Sequence, residues 1–195
     1  MFKNLFKKFI ASYHRKKQQL HLINWSRPAY IHYTVKFYFH KNITIGKYTK
    51  LMPYCHFDGE GGLTIGDGTM IGQKTVILSS HHKYKGIDYL PFSLEDEKKP
   101  VVLGKGCWIG YGVMICPGVT IGDGAVVAMG SVVTKNVASG QVVGGNPARV
   151  IGDRNESMNI AEIVGQEKFI LKKMLEESLV RRQKRANITD YNLLK

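Results

Sequence analysis

From Leu103 to Asn136 the chain can be written in rows of six, and this period limits the fold more than any other property of the sequence. Leu103, Ile109, Ile115, Ile121, Val127 and Val133 head successive rows. The second column holds Gly104, Gly110, Cys116, Gly122, Ala128 and Thr134, and the fifth holds Cys107, Val113, Val119, Ala125 and Ser131. A period of six fits neither the 3.6 of an amphipathic helix nor the alternation of a half-buried strand. It fits a solenoid in which each hexad is one short flat strand plus a turn. Glycine takes the turn, and the aliphatic residue points inward onto its counterpart in the next coil. Three such faces make one coil, and the small fifth column lets the walls meet without voids.

An earlier block reads in the same way. Ile45, Leu51 and Phe57 follow at intervals of six, the register slips by two within Asp58-Gly59-Glu60-Gly61-Gly62-Leu63, and it resumes at Ile65, Ile71 and Ile77. The slip is either a simple turn or a bulge that brings Asp58 or Glu60 to face a site and contact a hydroxyl-bearing molecule. After Ser79-Ser80-His81-His82 the hexads stop, so residues 83–100 are expected to leave the wall as a loop. Its aromatics, Tyr84, Tyr89 and Phe92, suit stacking on a sugar ring, and the run Glu95-Asp96-Glu97-Lys98-Lys99 reads as a solvated tip. Upstream, the aromatic and β-branched run Tyr30–Phe39 reads as extended chain capping the open end of the solenoid. Downstream, Gly140–Ile151 closes it, and a stripe including Ile160, Ile163, Val164 and Leu171 reads as a helix interrupted at Gly165. The last cluster, Arg181–Arg185, reads as a solvated helix end. These boundaries divide the chain into an N-terminal segment and cap (1–40), a β-solenoid (41–152) and a helical tail (153–195).

Charge is distributed unevenly. No Asp or Glu precedes Asp58, whereas 11 Lys and Arg do, so this segment supplies most of the net +13. The balanced remainder argues against a nucleic-acid binder and for a locally basic arm. Within it, Phe2, Leu5, Phe6, Phe9 and Ile10 recur at helical spacing among Lys3, Lys7 and Lys8. An amphipathic basic helix of this kind either contacts an anionic membrane through residues 1–12 or packs on the solenoid or a neighbouring subunit. Lysines break the N-terminus too often for a signal peptide, and three cysteines without CxxC spacing suggest a reducing, cytoplasmic setting.

Several of these stretches also carry a family resemblance. They include Gly61-Gly62-Leu63-Thr64-Ile65-Gly66-Asp67, the pair His81-His82, Cys107-Trp108-Ile109-Gly110, Ile115-Cys116-Pro117-Gly118-Val119-Thr120-Ile121-Gly122-Asp123-Gly124 and Gly145-Asn146-Pro147-Ala148-Arg149. In this order the chain resembles the acetyltransferase branch of the hexapeptide-repeat transferases. The resemblance implies a left-handed parallel β-helix, an exception to the right-handed crossover rule. It also implies acetyl-CoA as co-substrate, a homotrimer with sites shared between solenoids, and a sugar or glycan acceptor. Acetyl transfer to a hydroxyl needs a base, because the hydroxyl is too weakly acidic to ionise near neutrality, and an imidazole suits this.

Counted in hexads from Ile77, His81 falls in the fifth column with Thr49, Thr69 and Thr75, where small inward residues are expected. His82 falls in the sixth with Lys50 and His56, where side chains face outward. Register and the family's motif variants both favour His82 as base, with His81 as the other candidate or a buried imidazole hydrogen-bonded to backbone behind it. By resemblance the pantetheine arm would contact backbone at Tyr111 and Met129, and the nucleotide end would lie near Thr134, Lys135 and Arg149. Arg149 could equally cap the solenoid. Asp58 and Tyr84 are the candidates for the acceptor. No metal is expected, since the carbonic anhydrases of this fold need histidines beyond the first block and none follows His82. The leading expectation is an O-acetyltransferase of a cell-surface polysaccharide or its precursor, at the inner face of the membrane. A soluble acetyltransferase of small sugars or antibiotics, and a non-catalytic scaffold, are the alternatives.

Overall fold

The computed structural model describes residues 24–178. The basic amphipathic segment 1–12 and the Arg181–Arg185 cluster lie outside the described residues. Within them the chain winds into a three-walled parallel β-helix. The first wall stacks Asn24–Trp25, Ile43–Ile45, Leu63–Ile65, Val101–Leu103 and Thr120–Ile121. The second stacks Tyr30–Ile31, Lys50–Leu51, Met70–Ile71, Trp108–Ile109, Val126–Val127 and Gln141–Gly145, and the third Lys36–Tyr38, His56–Asp58, Val76–Ile77, Met114–Ile115 and Val132–Val133. Neighbouring strands within these stacks pair in parallel one coil apart, as in Trp108↔Val126 and Met114↔Val132.

The inward column behaves as the period predicts. Leu103, Ile109, Ile115, Ile121, Val127 and Val133 are all buried, each contributing about 1.5–3 kcal/mol by leaving water. The fifth column is buried too and sits inside the corners. Where it carries a polar group, that group reaches a corner carbonyl. Thr69 Oγ1 donates to Gly104 O (2.7 Å), Thr75 Oγ1 to Gly110 O (3.1 Å) and Ser131 Oγ to Ala128 O (2.7 Å). Burial therefore leaves no polar group of these three unsatisfied.

Glycine serves in two separate ways. Second-column glycines are required by proximity: a Cβ on Gly66 would stand 2.6 Å from the Gly104 backbone, and one on Gly110 2.6 Å from the Met129 amide. Fourth-column glycines supply the left-handed turn, as at Gly112 (φ 65°) and Gly130 (φ 69°). In the N-terminal coils Tyr48, Tyr54 and Lys74 take that conformation instead.

Two expectations are corrected here. The run Tyr30–Phe39 does more than cap the solenoid, because Asn24–Trp25, Tyr30–Ile31 and Lys36–Tyr38 form a complete first coil in register with the next. Trp25, Ile31 and Phe37 keep the interval of six and pair with Ile45, Leu51 and Phe57, so the hexads begin one coil earlier than expected. The register slip also occurs twice, in the corners 39–42 and 59–62, where the chain takes two extra residues between third and first walls.

At the other end Gln141–Gly145 folds back on Ala148–Asp153 as an antiparallel pair. A short helix, Ile160–Gly165, begins at an Asn159 side-chain cap, and a second begins at residue 170. Between them Phe169 is buried against Gly68, where a Cβ would collide with its ring, and Ile160 stands over Gly124 in the same manner.

Burial also governs the cysteines. Cys55 and Cys107 lie in the fifth column, and desolvation pushes both thiols up to about 11, from an ordinary 9.0. Unfolded, these thiols ionise near 9.0, while in the fold they keep their protons to about 11. The stability they hold, of order 2 kcal/mol each, is therefore full below pH 9 and lost as pH rises towards 11. Denaturant midpoints should be flat from pH 7 to 9 and fall above it. Ellman's reagent at neutral pH should titrate half-buried Cys116 in the native protein and the other two only on unfolding.

Candidate active site

The strongest departure from the repeat is also where the titratable groups collect. After Val76–Ile77 the wall pairing persists to Leu78, whose amide donates to Ile115 O (3.1 Å). Ser79 is the last buried residue before the chain leaves at the third corner. It runs out along Ser80–His82 and returns along Asp96–Lys98, an antiparallel hairpin with Ser80↔Lys98, His81↔Glu97 and His82↔Asp96 in register. The hexad count that separates the two histidines thus stops applying at Ser79. Both imidazoles ride on the hairpin outside the prism.

Their environments differ. His82 Nδ1 lies 2.6 Å from Asp96 Oδ1, and its ring stacks on Phe92 with centroids 4.0 Å apart and planes 14° from parallel. A carboxylate accepts only, so neutral His82 donates from Nδ1 and carries its lone pair on Nε2. His81 Nδ1 donates to His82 O (3.0 Å), and its Nε2 stands 3.6 Å from Glu97 Oε2, beyond hydrogen-bond reach. Glu97 in turn meets Lys99 Nζ at 2.8 Å, and that hydrogen bond holds its carboxyl below the usual glutamate range. The expected solvated tip is therefore corrected. Glu95 pairs with Lys83, Asp96 with His82, and Glu97 with His81 and Lys99. Phe92, named for stacking on a sugar ring, stacks on His82. Asp96 is the residue that sequence reasoning missed; a lone acidic residue in a mixed-charge run carries no signal that it faces a histidine 14 residues earlier.

The remaining candidates fall in four places. Tyr84 is exposed beside His81, with ring centroids 5.7 Å apart. Asp58 is buried under the root of the hairpin, its carboxylate accepting from Ser79 N, Ser80 Oγ and Glu60 N. Tyr111 and Met129 are exposed and stacked at the second corner, where Gly130 N donates to Tyr111 O (2.8 Å). Lys74, one coil away, lies over the Tyr111 ring (5.6 Å), and its hydrogen bond with that tyrosine raises its pKa above the ordinary lysine value. Thr134 and Lys135 belong to the third corner, two coils beyond the hairpin. Lys135 and Arg149 line one hollow of about 150 Å³ with Asn136 and Val143 at the open end of the last coil. Arg149 also donates to Ala148 O (2.9 Å). The structure thus brings the histidines, Asp58 and Tyr84 together at one corner, and sets Tyr111 and Met129 at another, across the third wall. Among the described residues no group of three or more His, Cys, Asp or Glu side chains is placed to hold a metal ion.

The bacterial transferase hexapeptide (six repeats) profile matches residues 100–135. Nodulation protein L of Rhizobium meliloti (strain 1021) is 43% identical over 117 residues, covering 57% of this chain and 60% of its own length. The putative colanic acid biosynthesis acetyltransferase WcaF of Escherichia coli (strain K12) is 34% identical over 124 residues, covering 64% and 65%. Along its solenoid this chain is similar to hexapeptide-repeat acyltransferases. Its β-helix also matches that of the hexapeptide-repeat containing acetyltransferase VCA0836 of Vibrio cholerae O1 biovar eltor, solved with acetyl coenzyme A. That match has a TM-score of 0.63 at 26% identity and covers 75% of this chain and 87% of the other. The hexapeptide-repeat chain spans 60% and 65% of the length of the two curated relatives described here.

The hydrogen-bonding of the His82 ring has a direct spectroscopic signature. In long-range proton–nitrogen correlation spectra the ring, once neutral, should show its proton on Nδ1, and Asp96→Asn should yield a mixture of tautomers. A wild-type ring protonated on Nε2 contradicts this geometry.

Proposed function

We propose that this protein transfers the acetyl group of acetyl-CoA to a sugar hydroxyl, with His82 as general base, in building a surface polysaccharide or its precursor. The observation that carries this reading is the His82–Asp96 pair, which orients an imidazole on a hairpin outside the prism with its Nε2 turned away from the carboxylate. Acetyl-CoA supplies an activated acyl group as a thioester. His82 Nε2 takes the hydroxyl proton as the acceptor oxygen bonds to the acyl carbon, and returns it to the departing CoA sulfur. Asp96 stabilises the imidazolium between those events, and holding both reactants in place supplies much of the remaining rate. Lys135 and Arg149 suit the phosphates of CoA, being exposed cations at one hollow.

A trimer would complete the site. Tyr111 and Met129 of one protomer would face the histidine hairpin of another across a groove, as their separation within one chain requires. The outer face of the third wall supports this, with an apolar ladder of Val76, Met114 and Val132 on paired strands, where the first wall carries Thr44, Thr64, Val102 and Thr120.

The polysaccharide reading, rather than a small sugar in bulk water, draws on the N-terminal end of the solenoid. Residues 24–57 contain Arg27, Lys36, Lys41, Lys47 and Lys50 and no carboxylate. Tyr30, Tyr33, Tyr38, Phe39 and Tyr54 are exposed there. Aromatics with cations suit an anionic membrane interface, as does the basic segment 1–12. Among the described residues no helix is long and apolar enough to cross a membrane.

Two measurements test these readings. With acetyl-CoA and a panel of neutral sugars, amino sugars and oligosaccharides, followed by thiol release, His82→Ala should lose about 10²–10⁴ in turnover. Unchanged turnover moves the base to His81, and no turnover by the parent with any acceptor favours the scaffold. In flotation assays the intact chain should bind vesicles of phosphatidylcholine with phosphatidylglycerol more than tenfold better than phosphatidylcholine alone, and lose this on removal of residues 1–12. Equal partitioning to both vesicles favours the small-acceptor enzyme.

A further inference from the structure

The slipped corner beneath the hairpin grips both of its strands. On the outgoing strand the Asp58 carboxylate, 8% exposed, accepts from the Ser79 amide (3.3 Å) and the Ser80 hydroxyl (2.8 Å). The buried Ser79 hydroxyl donates to Asp58 O (2.8 Å) and accepts from Gly61 N (2.9 Å). On the returning strand Glu60 meets Lys98 at 3.1 Å, and Lys98 is the register partner of Ser80. Gly61 makes the approach feasible, since a Cβ there would stand 2.7 Å from the Lys99 amide and collide with Ser79 O. Two carboxylates from one corner thus fix the rung Ser80↔Lys98, two residues before His82↔Asp96.

A two-stranded ribbon is marginal on its own in water, and this one closes a loop of residues 83–95. Its direction is therefore set at its root. We propose that Asp58 is a positioning residue for His82, clamping the hairpin to the solenoid through Ser79 and Ser80 so that the imidazole meets the acceptor in one place. This rests on the reading of His82 as base. It differs from the expectation that Asp58 binds the acceptor, because the carboxylate already takes three donors. A displacement of about 1 Å at the reacting group is enough to cost 10²-fold in rate.

The test uses the full chain and the best acceptor from the sugar panel. Asp58→Asn keeps one acceptor oxygen but sets an NH2 against at least one of the three donors. It should lower kcat about 10- to 100-fold, leave both KM values within about threefold, and speed amide hydrogen exchange in residues 79–98 but not 101–133. Ser80→Ala, which removes one hydroxyl, should move both readouts in the same direction by less, and it serves where the Asp58 variant does not fold. A raised acceptor KM at unchanged kcat makes Asp58 an acceptor ligand and overturns the proposal, as does unchanged exchange in the hairpin. Faster exchange at unchanged kcat overturns it too. Full activity of His82→Ala would instead refute the choice of base, while the exchange measurement still decides whether the clamp exists.

Discussion

Where the second column is glycine, coil stacks on coil so closely that a side chain has no room, and the remaining features of this protein follow from that spacing. Gly66 and Gly110 donate to the carbonyls of Leu103 and Val127 at 2.8 Å, and the same residues would clash with the next coil if they carried a Cβ. Hydrogen-bonded corners in turn fix which residues point inward. The aliphatic column is buried because the corners hold it there, and the corner thiols and hydroxyls are satisfied by the carbonyls that the turn exposes. Packing and backbone pairing are here a single constraint seen from two sides.

A wall this regular offers little chemistry of its own. Its side chains alternate between the prism and the outer face, and strands of two or three residues leave few ways to converge several polar groups on one point. The converging groups appear where the repeat is broken. The excursion 78–100 carries both histidines, four carboxylates and the stacked Phe92, and it is held to the wall by another irregularity, the lengthened corner 59–62. A rigid scaffold with a programmed interruption is a general way to place side chains more accurately than an unsupported loop would.

What could be read in advance divides along the same line. The hexads from Leu103 to Val133 gave the walls, their register and the buried column, because every coil repeats the same steric demand. The first coil was missed although Trp25, Ile31 and Phe37 keep the interval of six, because they lie in an aromatic-rich stretch that also reads as an extended cap. Pairing across the hairpin was not legible at all: His82 and Asp96 are joined by antiparallel geometry over an aperiodic loop, and nothing local to either residue records it. Asp58 was visible as an oddity, a carboxylate in a register slip. That it faces Ser79 and Ser80 depends on stacking of one coil on the next, which only the three-dimensional arrangement supplies.

Under the proposed mechanism the division of the candidate residues between two corners couples chemistry to assembly. His82 stands at the third corner and Tyr111 and Met129 at the second, with the whole third wall between them. A wall of paired strands does not bend to bring its edges together, so one protomer alone cannot enclose a thioester and a hydroxyl between these groups. A neighbour that covers the apolar ladder of Val76, Met114 and Val132 would bury it and, in the same motion, bring its own corner to the hairpin. Hydrophobic burial would then supply the free energy that orders the site, and loss of the interface would remove activity without touching any residue that handles the proton.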